Sequence, residues 1–212
     1  MNLKEKVSYF LSCIKDPRIC SFDLETLVVD SGGFLKGERI ISVSICERVQ
    51  SEIKCQVFIA ESDSYSEEMR ILRDLDQRMA EISPDIILGY NHTGYDIPLI
   101  MTKIKTLRWE DRLRNLEFYF GTSWCLDMMY LVSEDVFNRT GSYKTRKLSE
   151  TLTLDLYRDL PTMKVKGISE IENMNKGEAI KFLWNERRDD FFKYSLGDSY
   201  DLLVLFDNIM SQ

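Results

Sequence analysis

The stretch "RICSFDLETLVV", residues 18–29, decides how the rest of the chain is read. It is apolar and rich in β-branched residues, which is strand composition. Two acids interrupt it, Asp23 and Glu25. On a strand, residues i and i+2 point to the same face, so the two carboxylates share a side. Burying both without a partner costs several kcal/mol. A divalent cation removes the conflict. An exposed strand face, or ion pairs with Lys or Arg, removes it equally well. An Asp-x-Glu pair alone leaves these readings open.

The neighbouring segments extend the strand into a sheet. "RIISVSICERV" (39–49) follows a turn marked by Gly32 and Gly33, and "IKCQVFIAE" (53–61) makes a third strand, so an antiparallel meander is expected. Next, Met69, Ile71, Leu72, Leu75, Met79 and Ile82 recur at helical period after a cap at Ser66. "DIILGYN" (85–91) is short and continuously apolar, the pattern of a strand covered on both faces. "IPLIMTKIKTLRW" (97–109) reads as a helix with Pro98 in its first turn. "SWCLDMMYLV" (123–132) begins as a strand and runs into a helix. From about residue 146 the chain looks mostly helical. The order is three strands, helix, strand, helix, strand, helices, which is an α/β mixed sheet.

The 212 residues suffice for one domain with a substantial core, so residues 1–212 are expected to form a single domain. No apolar run reaches the roughly 18 residues of a membrane span. The N-terminus lacks an apolar stretch followed by a small-residue cleavage site, so an intracellular, cytoplasmic protein is expected. The five cysteines (13, 20, 46, 55 and 125) are scattered, without a CxxC pair, and the sole histidine is His92. A zinc site is disfavoured, and free, buried thiols are expected. The net charge of −7 argues against a protein that coats nucleic acid non-specifically. It does not exclude a nuclease, because a carboxylate site is negative until cations fill it. Lys103, Lys105, Arg108, Arg112 and Arg114, then Lys144, Arg146 and Lys147, read equally as solvated faces or as a nucleic-acid track.

Two further segments bear acids. Asp96, in "GYNHTGYDIPLI" (89–100), lies where an apolar strand turns into a helix, and sites in α/β sheets form at such strand ends. Taken alone, a helix-capping role is the favoured reading. In "YSLGDSYDLLVLF" (194–206), Tyr194 and Asp198 are i and i+4 on a helix and share one face. Taken singly, this is an amphipathic helix with a wet edge. Asp127 reads as a helix cap.

In this order the three segments resemble the DEDD superfamily of exonucleases, tyrosine subclass, and most of all the 3′→5′ proofreading domain of family B DNA polymerases. "FDLET" is similar to the first motif, Asp-x-Glu. "NHTGYD", with Asn91, Tyr95 and Asp96, fits the second, and "YSLGD", with Tyr194 and Asp198, fits the third. "SYKTRKLSETLTLDL" (142–156) also resembles the family. The likeness spans roughly 20–210. The histidine subclass has its histidine five residues before the last aspartate; Lys193 stands there, so the tyrosine subclass is preferred. His92 is then a bystander or a loop residue beside the substrate.

The resemblance implies an RNase H-like fold and a metal-dependent 3′→5′ exonuclease acting on the 3′ ends of single-stranded DNA, with RNA left open. It implies two divalent ions, Mg²⁺ or Mn²⁺. Asp23 would bridge both, Glu25 and Asp198 would complete the tighter site, and Asp96 would hold the second. Tyr194 would orient the attacking water, since a phenol is a poor base at neutral pH. Asn91 and Tyr95 would bind the terminal nucleotide, Tyr95 by stacking. A replication or repair protein is the expected partner, and a membrane is not. With about twenty residues before the first motif and no polymerase palm, the chain reads as a free-standing exonuclease or an excised domain, and the initiating Met favours the former. The rival readings are a catalytically silent binding module and an RNase H-like endonuclease. The first needs a lost carboxylate, and all four are present. The second does not need the Tyr194/Asp198 spacing.

Overall fold

The computed structural model describes residues 1–29, 37–108, 111–142, 147–163 and 174–212. The expected meander is present: β1 (Ile19–Val28), β2 (Glu38–Val49) and β3 (Glu52–Ile59) pair antiparallel. Helix α2 (Tyr65–Ile82) then crosses to β4 (Ile86–Gly89), which pairs parallel to β1. Helices α3 (Asp96–Lys105) and α4 (Arg114–Thr122) lead to β5 (Trp124–Asp127), parallel to β4. The sheet order is β3-β2-β1-β4-β5, the RNase H-like arrangement of antiparallel then parallel strands. Helices α5 (Met128–Thr140), α6 (Leu148–Leu152), α7 (Lys176–Glu186) and α8 (Arg188–Ser211) complete the described chain, after α1 (Leu3–Cys13) at its start. Among the described residues no helix is long and apolar enough to cross a membrane.

Alternation along β1 and β2 divides the core in two. Cys20, Phe22, Leu24, Val43 and Ile45 pack with Leu72, Leu75 and Met79 of α2 and with Leu99 and Ile100 of α3. Ile19 and Cys46 pack instead with Leu202, Leu203 and Phe206 of α8. The strand partners Asp23↔Ser44 and Glu25↔Ser42 are directly opposite, so they also lie on the α8 side. The register shifts immediately after Glu25, which ends this regular run.

Three local expectations are corrected. The cap of α2 is Ser64, not Ser66: its side chain accepts from the Glu67 backbone N–H. Helix α1 was not expected, though Asn2 and Glu5 form a reciprocal capping box and Glu134 accepts from the Leu3 and Lys4 amides. The cysteines are not all free, because Cys46 and Cys55 form a disulfide. The pairing of β2 with β3 sets them directly opposite one another, which spacing in sequence does not reveal. Cys13, Cys20 and Cys125 are free. The Gly32–Gly33 turn, Lys144 and Arg146 lie outside the described residues.

Gly89 ends β4 for a steric reason. A Cβ there would sit 2.4 Å from Cγ of the fully buried His92 ring. Neither the ring nor the backbone has room to move in a packed core. Gly89→Ala is therefore expected to lower unfolding free energy by about 1–3 kcal/mol, read by guanidinium denaturation; an unchanged midpoint would show that the ring is free to move.

Candidate active site

The site forms where the strand of Asp23 and Glu25 meets helix α8. Asp23, Glu25 and Asp198 each offer a carboxylate oxygen, and these oxygens all lie within 4.8 Å of one another. Glu25 is 3% exposed and Asp198 6% exposed. Like charges at that separation repel by about 3 kcal/mol per pair at an effective dielectric near 20. Over three pairs this approaches the whole net stability of a domain. The donor set is all hard oxygen, which suits Mg²⁺ or Mn²⁺ and not a thiophilic metal.

Asp96 is outside that group of three but borders it. It begins α3 and is 4% exposed. Burial, and then the neighbouring Asp23 charge, raise its pKa well above the usual carboxylate range. The alternative reading of Asp96 as a helix cap is corrected: the N-cap is Tyr95, without a side-chain cap bond. Asp96 is the first helical residue, where the helix dipole favours an anion.

Tyr194 lies one turn before Asp198 on α8 and is almost wholly buried. Its phenol is pushed far above its ordinary value, first by burial and then by Glu25, Asp198 and Asp23. A proton held that firmly leaves the hydroxyl able to donate and orient, and unable to act as a base.

The loop between β4 and α3 is fixed from below by Asp127. Its Oδ1 accepts from the Asn91 amide at 2.8 Å and its Oδ2 from the Thr93 hydroxyl at 2.8 Å. It also caps α5 by accepting from the Met129 amide, as expected. Asn91 itself adopts φ 62°, a left-handed conformation that asparagine tolerates well, and remains exposed. Tyr95 is half-buried against the core, with its hydroxyl bonded to Glu38 and Thr26. His92 is a packing residue, not one beside a substrate. Its ring meets Phe22 edge-on at 6.0 Å, and burial lowers its pKa to about 4, so it is neutral at physiological pH.

Sequence reasoning missed Lys176. It opens α7, and its ammonium pKa is raised by Glu25 foremost, and also by Asp23, Asp198 and Asp96. Among the described residues, its single positive charge offsets part of the charge of these carboxylates. No motif spacing flags it. The basic run around Lys103 partly dissolves into structure: Lys103 lies 3.0 Å from the buried Glu68, which also holds Arg39.

The family model described as DNA polymerase family B, exonuclease domain, matches residues 4–163. The chain belongs to this family. Its members' exonuclease domains are 3′→5′ exonucleases, and the chain is a hydrolase of that kind. The DNA polymerase delta catalytic subunit of Plasmodium falciparum (isolate K1 / Thailand) is 29% identical over 119 residues, which cover 47% of this chain and 11% of that protein. The chain thus matches a small part of that relative's length. Among solved structures, the family B DNA polymerase from the hyperthermophilic archaeon Pyrobaculum calidifontis aligns over 92% of this chain and 25% of its own, at 19% identity and a TM-score of 0.49.

The raised Asp96 pKa fixes the sign of a pH effect. Between the unfolded value and the raised folded value, the metal-free folded state holds a proton that the unfolded chain has lost, so stability falls as pH rises through that window. Asp96→Asn removes this dependence. Thermal melts in EDTA are expected to show Asp96→Asn more stable than the parent at neutral pH, with the two converging under acid. A parent as stable as the variant at neutral pH would contradict the crowding of Asp96.

Proposed function

We propose that the chain removes nucleotides one at a time from the 3′ end of single-stranded DNA, with two divalent cations, Mg²⁺ or Mn²⁺, held by Asp23, Glu25, Asp96 and Asp198. The observation that carries this reading is the convergence of Asp23 and Glu25 of β1 with Asp198 in the middle of α8. Cations bound there would supply Lewis acidity and a water of lowered pKa.

The chain's own residues do the rest. Asp23, Glu25 and Asp198 would hold the cations through their clustered carboxylate oxygens. Asp96, beside Asp23, would add a fourth carboxylate toward them. Tyr194 keeps its proton and orients the attacking water by hydrogen bonding. Asn91, exposed on a loop held by Asp127, and Tyr95 contact the terminal nucleotide. The single domain, 1–212, acts inside the cell, with a replication or repair protein as its partner.

Polarity tests the reading. Strands labelled at the 5′ end should shorten one nucleotide at a time, while a 3′ label should be released in the first step. The reaction should need Mg²⁺ or Mn²⁺ and stop in EDTA. Internal cuts from the outset would mark an endonuclease and overturn it. RNA degraded in preference to DNA would overturn the substrate assignment.

Two substitutions separate the roles. Asp23→Ala should abolish cleavage and leave the fold intact, since it relieves like-charge crowding. Tyr194→Phe should slow turnover about 10–1000-fold, the range of one transition-state hydrogen bond. Its Mn²⁺ affinity should stay near the parent's. Parental turnover by Tyr194→Phe, with chemistry rate-limiting, would reduce Tyr194 to a packing residue.

A further inference from the structure

The contact between α8 and the sheet is made by hydroxyls where the rest of that core is apolar. Ser42 Oγ donates to Ser195 Oγ at 3.2 Å. Ser44 Oγ and Ser199 Oγ are 2.6 Å apart, and Ser199 Oγ donates to the Ser44 carbonyl at 3.0 Å. Ser21 Oγ donates to the Ser199 carbonyl at 2.6 Å. All five serines are buried, at 0 or 1% exposure. One assignment of protons satisfies the second rung: Ser44 donates to Ser199 Oγ, and Ser199 donates to the Ser44 carbonyl.

Each rung lies one step from a pair of site residues. Ser42 stands opposite Glu25 in the β1–β2 register, and Ser195 follows Tyr194 in the chain. Ser44 stands opposite Asp23, and Ser199 follows Asp198. One residue is about 100° of helix rotation, so the hydroxyl face points into the sheet while Tyr194 and Asp198 turn toward the acids. Small side chains on both sides let the helix approach closely. Hydrogen bonds then fix its rotation and its slide, which an apolar contact of the same area would leave looser.

We propose that Ser42, Ser44, Ser195 and Ser199 are positioning residues. Through the seat of α8 they set the distance of Asp198 and Tyr194 from Asp23 and Glu25, and so the cation affinity of the cluster. The proposal rests on the reading of Asp23, Glu25 and Asp198 as cation ligands.

The test is a Mn²⁺ binding isotherm, read as free Mn²⁺ by electron paramagnetic resonance without substrate. Three variants are compared with the parent. Ser44→Val adds volume in the seam. Ser44→Ala/Ser199→Ala removes the rung without adding volume, so it decides the matter if Ser44→Val fails to fold. Ile209→Ala cuts a fully buried side chain on the same helix, about 16 Å along its axis from Asp198. The two seam variants should bind Mn²⁺ about 10–100-fold more weakly, as when groups that orient metal ligands are removed. Ile209→Ala should melt lower than the parent and bind Mn²⁺ with parental affinity. Parental affinity in the double variant, or equal weakening in Ile209→Ala, overturns the seam proposal. Absence of Mn²⁺ binding by the parent overturns the underlying ligand reading instead.

Discussion

Mutual repulsion among three carboxylates is the constraint around which this molecule is arranged. Asp23, Glu25 and Asp198 come from segments 175 residues apart in the chain (198 − 23), yet their oxygens lie within 4.8 Å. Like-charge proximity does not favour folding by itself. The apolar contacts on both sides of the sheet supply the stabilisation that holds it, with α2 and α3 on one face and α8 on the other. Lys176 offsets part of the charge, and the donor chemistry suits divalent cations for the remainder.

The same crowding explains the site's division of labour. Burial and neighbouring anions raise the Tyr194 and Asp96 pKa values together, for the same electrostatic reason. The phenol keeps its proton and can donate but not act as a base, and the Asp96 carboxyl holds its proton more firmly. Asp127 acts at one remove. Its two oxygens hold the Asn91 and Thr93 positions, and through them the loop that delivers Asp96.

Much of this was legible in the chain. Period-two alternation around Asp23 and Glu25 gave the strand and the shared face, and the i, i+4 spacing of Tyr194 and Asp198 gave the helical partner. The antiparallel meander was legible, and so was β4 as a strand covered on both faces, but its place beside β1 is set by packing. Long-range pairing was harder to read. Cys46 and Cys55 meet because of register, which sequence separation does not encode. Lys176 reaches the acids only through the packing of α7. Two further signals stand in the sequence. Asn2 and Glu5 spell a capping box for α1. Ser42 and Ser44 alternate on one strand face, while Ser195 and Ser199 repeat at i, i+4, a match between small-residue patterns that identifies the seam.

Anomalous diffraction from crystals of the Mn²⁺-loaded protein tests the central claim most directly. A Mn²⁺ peak bonded to carboxylate oxygens of Asp23, Glu25 and Asp198 is expected, with a second bonded to Asp23 on the Asp96 side. Well-ordered crystals in saturating Mn²⁺ with no peak among these carboxylates, or with Mn²⁺ bound elsewhere, would contradict it.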